Sequence, residues 1–177
     1  MLERLSECYV DALRLAKTGQ QLQGELDVAG LSRLVPLLAN ANGKAAVTLQ
    51  FGIDEQGISF VRGNVRCTLQ VICQRCLTTM PLDVDASVCL GMVTSPEAAR
   101  ELPGEYEPLV MTAEPVSIAS VVEDELILAL PIVALHPQGA CVAEEGTRET
   151  EDPTARDDQG PRKTKPFAVL AGLKTRR

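Results

Sequence analysis

The sequence predicts an α+β domain: an antiparallel meander sheet, open or barrel-like, with a few packing helices. A disordered acidic linker and a short C-terminal helix follow it. Three observations carry this expectation. Apolar and polar residues alternate with period two through 44–51, 65–73 and 82–90, the pattern of strands with one buried face. One strongly helical stretch runs from Ser117 to Leu130. From Val142 to Lys165 large apolar residues almost vanish, so that stretch cannot build a core. The organisation that follows is a single domain over 1–141, a flexible acidic linker over 142–165, and a short apolar and basic helix over 166–177.

Taken in order, residues 1–10 show no clear pattern. Asp11 can cap a short helix that runs through Lys17 and ends at Gly19. Leu22, Leu26 and Val28 share parity, which predicts a strand over 21–28. Leu31, Leu34, Val35 and Leu38 recur at helical spacing and predict a helix over 31–40, shortened or kinked by Pro36. Asn40 to Gly43 is a turn. A strand over 44–51 then meets a hairpin turn at Asp54–Gly57, and a short strand follows at 58–61. Gly63-Asn64 reads as a further turn into the strand that begins at Val65.

Leu82, Val84, Ala86, Val88 and Leu90 predict the next strand and put Cys89 on its other face. Thr94 to Glu107 is polar and turn-rich, and 106–111 has room for a short strand. In the stretch after Ser117, Ile118, Val121, Val122, Leu126 and Ala129 form an apolar stripe. Glu125 falls at its edge, with Glu123 and Asp124 opposite on a solvated face. Pro131 stops the helix, and an extended segment leads to His136 and Cys141.

Composition narrows the class. Of 177 residues 45% are apolar but only 3% aromatic, with no Trp, so the core must be aliphatic. No apolar run approaches the roughly 18 residues that span a bilayer, and the first residues lack a secretory signal pattern. A cytoplasmic protein is expected, with no membrane partner, and its six cysteines are read as thiols or metal ligands. The net charge of −7 argues against gripping nucleic acid by bulk charge. Charge is unevenly placed, however: 162–177 holds six basic residues and no acidic one. That basic tip is a candidate contact for RNA or an acidic partner, the alternative being a solvated tail.

Cys73-Gln-Arg-Cys76, His136 and Cys141 form the strongest chemical constellation. A Cys-x-x-Cys turn delivers two thiolates to one ion, and a distant His and Cys complete a tetrahedron, which makes structural zinc the candidate cofactor. The alternatives are ordinary buried thiols and a redox pair. The redox pair is disfavoured because the motif follows a strand rather than opening a helix. One histidine without a nucleophile elbow, and no phosphate-binding glycine pattern, argue against an enzyme and against a small-molecule substrate. Phe167, Leu170 and Leu173 recur at spacings of three, an apolar face suited to docking.

Several motifs stand in one order: Asp11-Ala-Leu-Arg-Leu-Ala-Lys17, Cys73-Gln-Arg-Cys76 and Leu102-Pro-Gly-Glu-Tyr-Glu-Pro108. Val122-Glu-Asp-Glu-Leu-Ile-Leu-Ala-Leu-Pro131, His136 with Cys141, and Pro166-Phe-Ala-Val-Leu-Ala-Gly-Leu-Lys174 follow. Together they resemble the YceD family of bacterial proteins, the large ribosomal RNA subunit accumulation proteins. The resemblance implies a non-enzymatic role in synthesis, processing or stability of 23S ribosomal RNA, with ribosomal RNA or large-subunit assembly components as partners. Many members look as if they carry a second Cys-x-x-Cys pair where this chain has His136 and Cys141. The expected contact residues are Arg66, Arg75, Arg162, Lys163, Lys165, Phe167, Leu170, Leu173 and Lys174. The alternative is a zinc-stabilised interaction module that contacts a ribosomal protein.

Overall fold

The structure, a computed structural model, describes residues 3–5 and 8–141. The expected linker over 142–165 and helix over 166–177 lie outside these residues, as do Arg162, Lys163, Lys165, Phe167, Leu170, Leu173 and Lys174. The domain is α+β. Strands β1 (Glu3–Arg4), β2 (Tyr9–Val10) and β3 (Gln21–Asp27) lead into three long strands, β4 (Lys44–Ile53), β5 (Ser59–Ile72) and β6 (Thr79–Val93). Strands β7 (Glu107–Val110) and β8 (Val116–Ser117) are short. Helix α1 spans Ala12–Thr18, α2 Pro96–Glu101 and α3 Ile118–Ala129.

The main sheet has the order β1-β3-β4-β5-β6-β7, and β2 pairs with β8 in a second, two-stranded sheet. Strands β3 to β6 form the expected antiparallel meander. The edge strands β1 and β7 instead add in parallel, and the sheet stays open rather than closing as a barrel. One face of β4 buries Ala45, Val47, Leu49 and Phe51, and the matching face of β6 buries Val84, Ala86, Val88 and Leu90. Helix α3 covers this face with Ile118, Val121, Val122 and Leu126. Burying each such side chain contributes about 1.5–3 kcal/mol.

The helix ends are set by their predicted caps. Asp11 accepts from the Arg14 N–H at 3.0 Å, and Gly19 ends α1 with a left-handed φ of 63°. Ser117 accepts from the Ser120 N–H at 3.2 Å to start α3. Helix α2 falls in the stretch expected to be turns. Ser95 caps it by accepting from the Ala98 N–H, with Pro96 in the first turn, a pairing that favours helix initiation.

Two expectations about the backbone are corrected. No turn forms at Gly63-Asn64; both lie within the continuous strand β5. A Cβ on Gly63 would stand 1.9 Å from the Thr48 carbonyl oxygen, so glycine serves close approach of β4 and β5 and not chain reversal. The helix expected over 31–40 does not form: a 3-10 turn at Val28–Gly30 precedes that stretch, and within it only the 3-10 turn Val35–Leu37 is helical. Pro36 has no N–H to continue a helix, and Leu38 is already extended.

The backbone N–H groups of that segment explain a third correction. Glu123, expected on a solvated face, is buried at 6% exposure, whereas Glu125 is only half-buried. The Glu123 carboxylate accepts from the Arg33 N–H at 2.6 Å and the Leu34 N–H at 3.1 Å. It also accepts from Arg33 Nε at 2.9 Å, while Arg33 Nη1 reaches Asp124 at 2.6 Å. This clamp fastens the 31–38 segment to α3. Burial alone would raise the Glu123 pKa, but the two backbone donors and the guanidinium hold it below the ordinary 4.5.

A clamp of that kind contributes stability above pH 4.5 that is lost as pH falls through the lowered folded-state value. Replacing Glu123 with Ala should therefore cost about 2 kcal/mol at neutral pH. Glu123→Gln should flatten the acid limb of a stability–pH curve measured by urea unfolding. Gly63→Ala should cost at least about 3 kcal/mol in the same assay, since β4 and β5 must separate. An unchanged midpoint would refute the close-approach account.

Candidate functional site

Strand β5 ends at Ile72, and the chain turns back through 73–78 into β6. The Cys73 N–H donates to the Thr78 carbonyl at 2.9 Å, and the Leu77 N–H donates to the Cys73 carbonyl at 2.8 Å. The reversal is tight enough that Leu77 takes a φ of 59°, a left-handed conformation unusual for a bulky residue. Beyond α3 the chain returns to this turn. The Gln74 N–H donates to the Ala134 carbonyl at 2.8 Å, and its side-chain amide reaches the Ile132 carbonyl at 3.3 Å. The turn and the post-helix segment are therefore laced together by backbone.

This lacing brings Cys73, Cys76, His136 and Cys141 into one group, with their ligand atoms all within 4.8 Å of one another. Cys73 Sγ and Cys141 Sγ are 3.9 Å apart. His136 Nδ1 lies 3.3 Å from Cys76 Sγ and 3.9 Å from Cys141 Sγ. Tetrahedral bonds of the zinc–sulfur and zinc–nitrogen lengths would place ligand atoms about 3.5–3.8 Å apart. The three thiols and the imidazole thus form a Cys3His set that fits a tetrahedral metal ion.

Electrostatics favour thiolate at two of the positions. Burial pushes the Cys73 thiol up, but N–H donation from Cys76, His136 and Arg75, together with the His136 ring, brings it down to about 5. Thr78 donors lower Cys76. His136 is raised, first by its hydrogen bond to Cys73, and burial raises Cys141. His136 N–H also points at Cys73 Sγ from 3.4 Å, so Cys73, which is fully buried, sits among donors aimed at its sulfur. That environment suits a metal-bound thiolate better than an ordinary core thiol.

The structure separates the other described candidates. Arg75 is at the cluster, with Nη1 3.7 Å from Cys141 Sγ. Arg66 lies on β5, paired with Asp85 at 2.9 Å, in a shallow hollow that also holds Lys44 and Asp83. That surface is of mixed charge rather than cationic.

Sequence reasoning missed an apolar groove of about 450 Å³ beside the cluster. One wall is the 3-10 turn at Pro36, Leu37 and Leu38, held by the Glu123 clamp. The second is the end of β5 with its turn, at Val71, Ile72, Gln74 and Leu77. The third is the end of α3 and its extension, at Ile127, Leu130, Pro131 and Ala134. A signal was present: no Asp, Glu, Lys or Arg occurs in 34–43, 67–74, 76–82 or 126–143.

Comparison with known proteins bears on this geometry. The family model described as "Large ribosomal RNA subunit accumulation protein YceD" matches residues 61–174, a span that includes the whole Cys3His set. The chain is 31% identical to the "Large ribosomal RNA subunit accumulation protein YceD" of Haemophilus influenzae. That alignment of 166 residues covers 93% of this chain and 94% of the relative. No solved structure matches.

The Cys3His set should bind close to one zinc per chain when purified without chelator, read by elemental analysis. Cys73→Ser or Cys76→Ser should reduce that at least tenfold. Less than a tenth of an equivalent in the wild-type chain would eliminate the metal reading.

Proposed function

The chain belongs to the YceD family of large ribosomal RNA subunit accumulation proteins, and on that premise we propose that it acts as a non-enzymatic factor in large-subunit biogenesis. It supports synthesis, processing or stability of 23S ribosomal RNA in the bacterial cytoplasm, and it does so by binding. The surface chemistry favours a protein as the first partner of the described domain. Up to Cys141 the chain carries seventeen acidic and nine basic residues. Arg33, Lys44, Arg62 and Arg66 are each already paired with a carboxylate. A domain of that charge repels phosphate, so the uncharged groove is the better contact. That is the observation on which the reading rests.

Zinc in the Cys3His set has a structural part in this reading. Cys73, Cys76, His136 and Cys141 would hold it, and its chemistry there is to cross-link the turn after β5 to the segment after α3. Its binding energy then adds to the stability of both groove walls.

The basic tip supports a second contact. Arg162, Lys163, Lys165 and Lys174, unaccompanied by acidic residues, are suited to RNA phosphate, and Phe167, Leu170 and Leu173 to an apolar partner surface. In this arrangement the domain holds a protein and the tip touches RNA.

A clean deletion should lower 23S relative to 16S ribosomal RNA, measured on total RNA, and the full chain should restore the ratio; an unchanged ratio rejects the role. Neutralising Arg162, Lys163, Lys165 and Lys174 to Gln should weaken RNA retention and flatten its salt dependence.

A further inference from the structure

The curl of the turn after β5 accounts for a left-handed residue after Cys76, and glycine would meet it at least cost, yet the residue there is leucine. Leu77 directly follows Cys76, has a φ of 59°, and is 76% exposed. Among the described residues it is the only non-glycine with positive φ. A bulky side chain in the left-handed region costs about 1–2 kcal/mol, which glycine would avoid. An exposed leucine recovers none of that cost by burial within its own domain. Backbone strain of this kind persists at ligand clamps, where it serves recognition.

The surroundings describe the ligand. Leu77 borders the apolar groove together with Leu37 and Ile72, both also exposed. The backbone there is already engaged: the Ala39 N–H donates to the Gln70 carbonyl, and the Gln74 N–H to the Ala134 carbonyl. The site therefore offers a partner side-chain contacts, as a helix-binding groove does, and no free strand edge. Its lining has no charge, and the domain around it is acidic, with seventeen acidic residues to nine basic up to Cys141. A partner that matches both features has an apolar helical face flanked by Lys or Arg.

We infer that the groove is a docking surface for an amphipathic helix of a basic protein, with Leu77 as its anchor. The inference rests on the protein-contact reading above and names the partner's chemistry. The Cys3His set holds Leu77 out toward the groove, so the turn serves recognition as well as closure.

The test places a photo-crosslinking residue at Ile72 of the full chain. The chain is irradiated with dissociated, purified large ribosomal subunits, protein and RNA together, and the captured segment is sequenced. The expected adduct carries apolar residues three and four apart with Lys or Arg beside them. Its yield should fall at least tenfold in Leu77→Ala and in Leu77→Gly, while Leu77→Gly unfolds at the same or a higher temperature. An adduct that survives both substitutions overturns the inference. So does capture of ribosomal RNA, of a second copy, or of residues 166–173 instead, and so does no adduct at all. The 23S ratio in the deletion strain separates the two levels. If that ratio is normal the underlying role fails, and if it is low while crosslinking ignores Leu77, only the anchor fails.

Discussion

Everything described in this fold hangs on the pairing of β5 with β6. Thirteen residue pairs run without interruption from Phe60 opposite Gly91 to Ile72 opposite Thr79. Because side chains alternate, a one-residue slip would turn Val65, Cys67 and Leu69 from the core to solvent. Cross-strand partners pin the register: Arg66 with Asp85, and Thr68 with Asp83 at 2.7 Å. The two ends of this ribbon are then fixed in different ways. At one end the Arg62 guanidinium lies 4.7 and 4.8 Å from the ring centres of Phe60 and Tyr106, which stack on each other with centroids 6.4 Å apart. It also donates to the Tyr106 hydroxyl, which in turn donates to Asp54. At the other end is the cysteine turn.

Where the fold was legible, the deciding physics was local. Period-two alternation marked β4 and β6, and single capping residues marked both ends of α1 and the start of α3. Each misreading has a distant cause. Gly63 looks like a turn residue until Thr48, on the neighbouring strand, is seen to need the space of its missing side chain. Leu31, Leu34, Val35 and Leu38 have helical spacing, yet Pro36 prevents the ladder, and Leu31 and Leu34 are buried by 3-10 turns instead. Ser95-Pro96 was a readable start signal that the surrounding prolines obscured. Glu123 and Glu125 are two residues apart on one helix, and the pattern alone placed the wrong one near the core. What selects Glu123 is the backbone of Arg33 and Leu34, ninety and eighty-nine positions away.

The candidate site divides along the same line. The candidate ligands were readable, because thiols and an imidazole declare their chemistry and the first pair has the spacing of a metal turn. That His136 and Cys141 come back to Cys73 and Cys76 depends on α3 crossing the sheet and on the Gln74–Ala134 hydrogen bond, which spacing does not encode. The groove was harder still, being assembled from three segments that are each unremarkable. Its only trace in the sequence is a lack of charge, and such a lack normally signals core.

The charges around the cysteines connect closure to recognition. Three thiolates and one neutral imidazole around a divalent ion would leave one excess negative charge. Buried charge of that kind must be met by donors. The N–H groups of Arg75, Cys76 and His136 aimed at Cys73, and the Arg75 guanidinium 3.7 Å from Cys141, supply them. The donors that meet this charge are also what bends the turn: N–H groups from successive residues converge on one sulfur only if the backbone curls back on itself. That curl drives the residue after Cys76 into the left-handed region. A smaller residue would fit there with less strain, and on the docking proposal the leucine is the side chain that meets the partner. The adjoining surface is an uncharged groove on an acidic domain, which on the docking proposal leaves an apolar side chain as the means of contact.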